Sequence, residues 1–178
     1  MPRLFVAVDL PDDAKREVVA LCHGIPDVRW IPPSQLHLTI HFIGEVDVPK
    51  LAAIKTALAG ETLPPFVCQL QGVGRFPPKG RPRVLWAGVH AEAGLLRLVA
   101  MVARRLAVVG LVAEERPFFP HITLTRLKDV LQEPIVSYVS KHAEFHTDPF
   151  TVREFHLYSS LLTARGAVHD RVQSYPLA

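Results

Sequence analysis

Hydrophobic and polar positions follow the same succession of patterns in the two halves of the chain. Short apolar or alternating runs predict strands, and apolar residues three or four apart predict helices. The predicted strands of the first half cover residues 4–10, 36–42 and 66–73, and its predicted helices cover residues 14–22 and 49–58. The predicted strands of the second half cover residues 84–89, 121–125 and 150–159, and its predicted helices cover residues 92–109 and 130–142. Each half therefore has the order strand, helix, strand, helix, strand.

The boundaries of these elements carry signals of their own. Asp12 is the expected N-terminal cap of the first helix. The proline-rich segment 76–82 predicts a surface connection between the halves, and residues 168–177 predict an additional edge strand. The repeated order indicates an internal duplication within a single domain that spans residues 1–178. We expect two pseudo-repeats and a C-terminal tail, at roughly residues 3–76, 83–162 and 163–178.

The composition is that of one compact globular domain. The chain has 178 residues, of which 49% are hydrophobic and 21% charged, and its net charge is +3. This composition excludes an intrinsically disordered chain, and the length suits a single core. Cys22 and Cys68 lack the number and spacing of a disulfide framework or a cysteine-built zinc site. Because no signal peptide or long apolar run is present, we expect a cytoplasmic protein that does not enter a membrane.

An imidazole and a hydroxyl share a face in one strand of each half. Side chains two residues apart in a strand point the same way, so His37 lies beside Thr39 and His121 beside Thr123. The two histidines are 84 residues apart, close to the 80 residues between the opening strands. One His-x-Thr occurs easily by chance, whereas two at equivalent positions of a duplication are much rarer.

Two facing histidines supply the chemistry that breaks a phosphodiester. A neutral imidazole takes a proton from the attacking oxygen, while an imidazolium gives a proton to the leaving oxygen. The hydroxyls of Thr39 and Thr123 can donate to the non-bridging phosphoryl oxygens, where negative charge concentrates. The duplication predicts that a pseudo-twofold axis places the phosphorus between the halves. This chemistry requires no metal ion and no other cofactor.

Two other interpretations of these residues stay open. The pairs could merely pack across a strand face, with their polar atoms satisfied by neighbours. Alternatively, His37, His41 and His121 could bind a metal, since imidazole is a common zinc ligand. His37 and His41 are separated by about 13 Å along a strand, however, which is too far for one ion. No carboxylate has a matching spacing, and we therefore expect no metal site.

Three further features near the pairs are candidates for substrate contacts. Arg126 could bind phosphate or stack on a base, although strict alternation turns it away from His121 unless the strand ends or bulges after Thr125. The same alternation predicts that His41 lies on the same face as His37, and that Phe42 lies on the opposite face, in the core. A small basic loop could contact an RNA backbone or be solvated, and it contains Lys79, Arg81 and Arg83.

Six segments together resemble those of one known family, the 2H or two-histidine phosphoesterases. Within that family the chain is most similar to the LigT-like RNA 2′,3′-cyclic phosphodiesterases, once called 2′-5′ RNA ligases. The similar segments lie in both halves and are RLFVAVD at 3–9, LHLTI at 36–40, FIGE at 42–45, RVLWAGV at 83–89, FPHITLTR at 119–126 and LYSSL at 157–161. The resemblance covers almost the whole chain and is specific, whereas either His-x-Thr alone is not.

The resemblance implies a bilobal α+β fold in which two antiparallel sheets, with helices packed outside, surround a central cleft. It also implies hydrolysis of a terminal 2′,3′-cyclic phosphate on RNA to a 2′-phosphate, without a metal. By motif, His37 would donate a proton to the departing 3′ oxygen, and His121 would accept a proton from water. Thr39 and Thr123 would hold the phosphoryl oxygens, and Arg126 would contact the substrate.

Some features are left open by the resemblance. Relatives often carry a tyrosine where this chain has His169, which puts an aromatic contact at the cleft edge in doubt. His41 could tune the proton affinity of His37, touch RNA or be exposed to solvent. The same site could also perform 2′-5′ RNA ligation, or the chain could be a non-catalytic module that binds RNA ends. The expected partner is RNA with a 2′,3′-cyclic phosphate terminus; no obligate protein partner is expected, and we predict a monomer.

Overall fold

The computed structural model describes residues 1–113 and 115–178, and nine strands and four α-helices form within them. The elements of the first half are β1 (Arg3–Asp9), α1 (Asp12–Val19), β2 (His37–Glu45), α2 (Val48–Leu58), β3 (Phe66–Cys68) and β4 (Leu70–Phe76). The elements of the second half are β5 (Val84–Val89), α3 (Ala93–Val108), β6 (His121–Arg126), α4 (Gln132–Lys141), β7 (Phe150–Val152) and β8 (Glu154–Thr163). A last strand, β9 (Gly166–Pro176), follows as the predicted edge strand.

All strands are antiparallel to their neighbours and belong to two sheets. The large sheet has seven strands in the order β4-β5-β6-β2-β1-β8-β9, and β3 pairs with β7 in a second sheet. The two halves meet at the centre of the large sheet, where Leu38 of β2 pairs with Ile122 of β6. These two residues are 84 positions apart, the same spacing as the two histidines. The α+β fold class, with two antiparallel sheets and a central cleft, is thus confirmed.

The helices pack against one face of the large sheet. Helix α3 shows the reason most clearly, because its buried residues Leu95, Leu98, Val102 and Leu106 recur every three or four positions. One hydrophobic cluster contains residues from every helix and from the two central strands, including Val18, Ile54, Leu98, Ile135, Leu38 and Ile122. Burial of this shared apolar surface is the main stabilising contribution to the fold. The helix-covered face is therefore the core face of the sheet.

Two of the predicted strands are each divided in the structure. The predicted strand 66–73 is β3 and β4, and the predicted strand 150–159 is β7 and β8. In both cases the chain passes from the small sheet to the large one within a single residue. Buried apolar residues continue on both sides of that residue, as the sequence Cys68-Gln69-Leu70 shows. The hydrophobic pattern therefore could not reveal the change of sheet.

The first helix begins differently from the prediction. Asp12 is its first helical residue rather than its cap, and the N-cap position is taken by Pro11 without a side-chain hydrogen bond. Asp12 and Asp13 lie in the first turn, where their negative charge interacts favourably with the helix dipole. Among the helices of the described residues, none has the length and apolar character needed to cross a membrane.

Candidate active site

The pairing of β2 with β6 brings the two His-x-Thr pairs together. Leu38 lies opposite Ile122, so extending the antiparallel register by one residue in each direction sets His37 opposite Thr123 and Thr39 opposite His121. Leu38 and Ile122 point into the core, and the other four side chains therefore share the opposite face, where all are half-buried. Each histidine consequently lies beside its own threonine and across from the threonine of the other half.

A backbone carbonyl fixes the orientation of each imidazole. His37 Nδ1 donates a hydrogen bond to the carbonyl oxygen of Gln35 at 2.6 Å, and His121 Nδ1 donates to that of Phe119 at 2.7 Å. Because a carbonyl can only accept, Nδ1 carries hydrogen in both rings. In the neutral ring the lone pair is then on Nε2. The two histidines thus have the same tautomer, with Nε2 as the atom that can exchange a proton.

Aromatic rings from β1, β8 and β9 surround His37. Phe5 stacks on the imidazole with ring centroids 4.9 Å apart, and the centroid of Tyr158 lies 6.5 Å away. His169 completes this group at 5.4 Å from His37 and 5.1 Å from Phe5. The aromatic contact that the sequence left in doubt at position 169 is therefore present. The imidazole of His169 makes it in place of a tyrosine ring.

The surroundings of His121 are similar, although different strands supply them. Phe76 packs edge-on to the imidazole at 5.0 Å, and Trp86 and Phe119 lie 6.4 and 6.5 Å away. Trp86 fits there because the facing residue on β4 is Gly74, where an added Cβ would lie 2.2 Å from the indole ring. Aromatic rings thus shield both imidazoles partly from water, and each group includes a ring from the other half of the chain, Tyr158 for His37 and Phe76 for His121.

This packing lowers the pKa of both histidines. Burial is the main cause for His37, whose pKa is lowered to about 4, and it is also the main cause of the lowered pKa of His121. The positive charge of Arg126 lowers the pKa of both rings further. Both imidazoles are therefore neutral at pH 7 in the free protein. A bound anionic phosphate would favour the protonated forms and reverse the effect.

Each central strand carries a β-bulge directly after its threonine. On β2, Thr39 pairs with Ala7 and His41 with the adjacent Val6, which leaves Ile40 without a partner in the ladder. On β6, Thr123 pairs with Trp86 and Thr125 with the adjacent Leu85, which leaves Leu124 as the extra residue. A bulge shifts the alternation of side chains by one position. Residues after each bulge therefore lie on the opposite face from the one that strict alternation along the strand would give.

The bulge on β2 makes the predictions for Phe42 and His41 wrong. Phe42 pairs with Phe5, whose ring stacks on His37, so Phe42 lies on the histidine face. It is 61% exposed rather than part of the core. His41 pairs with Val6, a core residue, and therefore lies on the opposite face from His37.

The bulge on β6 brings Arg126 to the site. Arg126 pairs with Val84, which shares the face of Trp86 and His121. Strict alternation would turn Arg126 away from His121, and the bulge at Leu124 turns it back. The sequence analysis considered a bulge after Thr125, one residue later. Arg126 and Phe42 are 84 positions apart, so they occupy equivalent places in the two halves. One half presents a guanidinium and the other an aromatic ring to the same site.

Two cavities adjoin three of the four central side chains. The larger, of about 830 Å³, is lined by Thr39 and His121 and extends between β2 and the second half. The smaller, of about 250 Å³, lies beside His37 and contains polar groups. In it the Asp9 carboxylate accepts hydrogen bonds from Tyr158 Oη at 2.6 Å and from Arg171. The two histidines therefore have different surroundings beyond the aromatic rings.

The sequence analysis missed most of these surroundings. The contacts of Phe5, Tyr158, Phe76 and Trp86 with the histidines depend on pairings between distant strands, which one sequence does not reveal. The sole available signal was that the segments of Phe5, Trp86 and Tyr158 resemble those of a known family, and Phe76 lies outside these segments. The basic loop also divides in the structure, because Arg81 forms an ion pair with Asp129 whereas Arg83 lines the larger cavity.

Metal-ligand side chains do not gather at the site. Across residues 1–113 and 115–178, no group of three or more His, Cys, Asp or Glu side chains is placed to hold a metal ion. His41 lies on the other face of β2, so the three histidines considered as ligands are not assembled.

Comparisons with known proteins agree with the fold. A sequence model described as LigT like phosphoesterase matches residues 8–86 and 89–169. An RNA 2′,3′-cyclic phosphodiesterase of Archaeoglobus fulgidus is 36% identical over 97% of this chain and 99% of its own length. The crystal structure of TT0787 of Thermus thermophilus has a TM-score of 0.79 at 32% identity, and covers 98% of this chain and 97% of that one. The crystal structure of E. coli LigT complexed with 3′-AMP has a TM-score of 0.78 at 29% identity, with coverage of 100% and 99%. The chain, with two His-x-Thr pairs on adjacent central strands, belongs to the LigT-like phosphoesterase family.

Proposed function

We propose that this protein is an RNA 2′,3′-cyclic phosphodiesterase that hydrolyses the cyclic end to a 2′-phosphomonoester with two histidines and no metal. The observation that carries the proposal is the pairing of Leu38 with Ile122, which sets the two His-x-Thr pairs on one face of adjacent strands. It offers two proton-exchanging Nε2 atoms and two hydroxyls around one point between the halves. The names of several relatives, including the Archaeoglobus fulgidus protein, support the choice of substrate.

The proposed reaction is a single displacement at phosphorus. A water oxygen attacks the phosphorus while its proton passes to Nε2 of His121. The bond between phosphorus and the 3′ oxygen breaks, and Nε2 of protonated His37 gives its proton to that oxygen. The 2′ oxygen keeps the phosphate. Afterwards His37 is neutral and His121 is protonated, and exchange with solvent restores the starting state.

The threonines and Arg126 stabilise the charge that develops on the phosphate. The hydroxyls of Thr39 and Thr123 donate hydrogen bonds to the two non-bridging oxygens. Arg126 adds a positive charge on the same face, and its planar guanidinium suits either phosphate or a base. A bound phosphate anion offsets the effect of burial on His37 and allows it to carry the proton that the leaving oxygen needs.

All of these residues come from one chain. Both histidines and both threonines lie on adjacent strands of one sheet, so the mechanism requires no second subunit. We therefore propose that the acting unit is a monomer, with RNA as its partner. We also propose that it acts in the cytoplasm.

The test replaces each histidine and follows an oligoribonucleotide that ends in a 2′,3′-cyclic phosphate. His37→Ala and His121→Ala should each lower kcat by about 10²–10⁴, the usual contribution of a general acid or base. The matched control is His90→Ala, because His90 is exposed, has Glu92 as its charged partner and lines neither cavity. Circular dichroism should show that all three variants are folded, and EDTA should leave the wild-type rate unchanged.

Three outcomes would contradict the proposal. Normal turnover by either histidine variant would exclude the two-histidine mechanism. Loss of activity in EDTA, restored by added metal, would exclude metal independence. A 3′-phosphate product would show that the 2′ oxygen, and not the 3′ oxygen, is the leaving group.

A further inference from the structure

The cavity of about 830 Å³ is larger than the proposed reaction needs. Hydrolysis requires room near Thr39 and His121 for one water molecule and for the single terminal nucleotide that carries the cyclic phosphate. Cavities that bind whole small molecules have volumes of about 300–1,000 Å³, and this one lies in the upper part of that range. Its lining includes both Thr39 and His121, so it opens directly from the reacting centre. A ligand bound at the centre can therefore extend into it.

The walls of this cavity suit a nucleobase. Phe76, Phe118 and Phe119 contribute aromatic rings, while Val99 and Ala103 of α3 contribute an aliphatic wall. Stacking on aromatic side chains is the usual way in which proteins hold the bases of single-stranded RNA. Phe119 is 52% exposed and is thus available for such a contact. The wall selects a flat, apolar surface without demanding one particular base.

Two arginines place positive charge at the same cavity. Arg83 and Arg116 belong to its lining, and neither forms an ion pair within the part of the chain that the structure describes. Two other arginines of the neighbouring loop are already engaged. Arg81 is paired with Asp129, and Arg75 donates to the carbonyl oxygens of Gly80 and Pro78. Guanidinium groups of this kind bind the phosphates of RNA.

The smaller cavity is unsuited to the same ligand. Its volume of about 250 Å³ lies below the range for whole small molecules. It also contains the carboxylate of Asp9, which would repel a phosphate. Tyr158 and Arg171 already donate hydrogen bonds to this carboxylate. A second nucleotide therefore fits only the larger of the two cavities.

We propose that the larger cavity binds the nucleotide that precedes the cyclic-phosphate end, with its base against the aromatic wall and its phosphate on Arg83 and Arg116. This inference rests on the proposed function and adds a substrate preference to it. The protein should act on an oligoribonucleotide in preference to a nucleoside 2′,3′-cyclic phosphate. A mononucleotide has neither the second base nor the linking phosphate that the cavity would bind.

The experiment compares two substrates, adenosine 2′,3′-cyclic phosphate and a trinucleotide of adenosine with the same cyclic end. The preference is the ratio of kcat/KM for the trinucleotide to kcat/KM for the mononucleotide. Arg83→Ala and Arg116→Ala should each lower this ratio about tenfold, and should make the salt dependence of kcat/KM for the trinucleotide shallower by about one phosphate contact. Arg81→Ala is the matched control, because Arg81 is paired with Asp129, and it should keep the wild-type ratio.

The possible results separate this inference from the proposed function. If both arginine variants keep the wild-type ratio, or if they lose activity equally on the two substrates, the second-nucleotide site is wrong while the phosphodiesterase activity stands. Binding of a 2′-phosphate-ended trinucleotide, measured by fluorescence anisotropy, does not depend on turnover. If the wild type hydrolyses neither substrate but Arg83→Ala and Arg116→Ala weaken this binding, the proposed function fails and the RNA site stands.

Discussion

His37 combines a deeply packed imidazole with a chemical task that requires it to be protonated. Phe5 stacks on one face of the ring, and burial lowers its pKa to about 4. A low pKa suits a proton donor because the protonated ring is then a strong acid, but it leaves little of that form at pH 7. The pKa of His121 is lowered as well, which suits a base that must be neutral. The pH dependence of the reaction therefore carries information on both residues.

We predict that the maximum of kcat/KM lies below pH 6.5. This parameter reports the free protein, in which the required pair is protonated His37 and neutral His121. The concentration of that pair is highest between the two pKa values, of which the lower is about 4 and the upper lies below the ordinary histidine value. Above the upper value, kcat/KM should fall about tenfold per pH unit. The profile of kcat should extend to higher pH, since bound phosphate raises the pKa of His37.

Arg126 provides the internal control for this pH profile. Its charge lowers the pKa of both histidines, so Arg126→Gln should move the alkaline limb of kcat/KM to higher pH. Arg126→Lys keeps the charge and should keep the position of the limb, even if the rate itself falls. An alkaline limb above pH 7 in the wild type, at the same position for kcat/KM and kcat, would show that the packing does not control these pKa values.

At the level of the strands, the two bulges decide which side chains reach the site. Ile40 and Leu124 are the extra residues, and they turn Phe42 and Arg126 to the histidine face. Without them, strict alternation would place His41 there instead of Phe42. The bulges therefore add an aromatic ring and a guanidinium to a surface that already holds two His-x-Thr pairs.

The strands themselves were easier to predict from the sequence than these details. Strand β5 covers the predicted residues, β6 contains its predicted alternating segment, and β2 contains all of its predicted segment except Leu36. Local alternation is sufficient for this, because side chains of a half-buried strand alternate between core and surface. The extra residues of the two bulges, Ile40 and Leu124, are apolar and buried like the strand residues around them. The hydrophobic pattern therefore does not reveal a bulge. The facing of Phe42 was consequently mispredicted, while the two His-x-Thr pairs, which precede the bulges, were placed correctly on one face.

Strand β4 supports the site through the absence of a side chain. Gly74 faces Trp86, and an added Cβ would lie 2.2 Å from its ring. We expect Gly74→Ala to lower the free energy of unfolding by about 1–3 kcal/mol, the usual cost of overpacking. It should also lower kcat, because a displaced Trp86 no longer packs beside His121. Urea denaturation and steady-state kinetics measure the two effects.

The control is the same substitution beside a smaller residue. In a Trp86→Leu background there is no indole for the new methyl group to meet, so Gly74→Ala should cost little. The double-mutant cycle should give a coupling of about 1–3 kcal/mol. Additive costs of the two substitutions would show that the contact between Gly74 and Trp86 is not the source of the effect.

On the scale of the whole molecule, the two halves are alike at their centre and differ at their edges. We propose that the chain arose by internal duplication, which is supported by the constant spacing of 84 positions for His, Thr and the central Leu–Ile pair. The hairpin of β8 and β9 extends the sheet beyond β1, whereas at the other end β4 is the last strand. This hairpin reaches the segment before β2 through two side chains. Gln35 donates to the carbonyl oxygen of Ala167, and Arg29 donates to that of Arg165.

Gln35 links this hairpin directly to the reacting group. Its side chain is held by the hairpin, and its own carbonyl oxygen accepts the hydrogen bond from His37 Nδ1 at 2.6 Å. We predict that Gln35→Ala lowers kcat about tenfold, because a small misplacement of a catalytic group is costly. Arg29→Ala removes a similar bond to the same hairpin but touches no catalytic residue, and kcat should change less than about twofold. Equal losses of kcat in the two variants would mean that the hairpin acts through general stability, whereas a loss confined to Gln35→Ala shows that the hairpin fixes the position of His37.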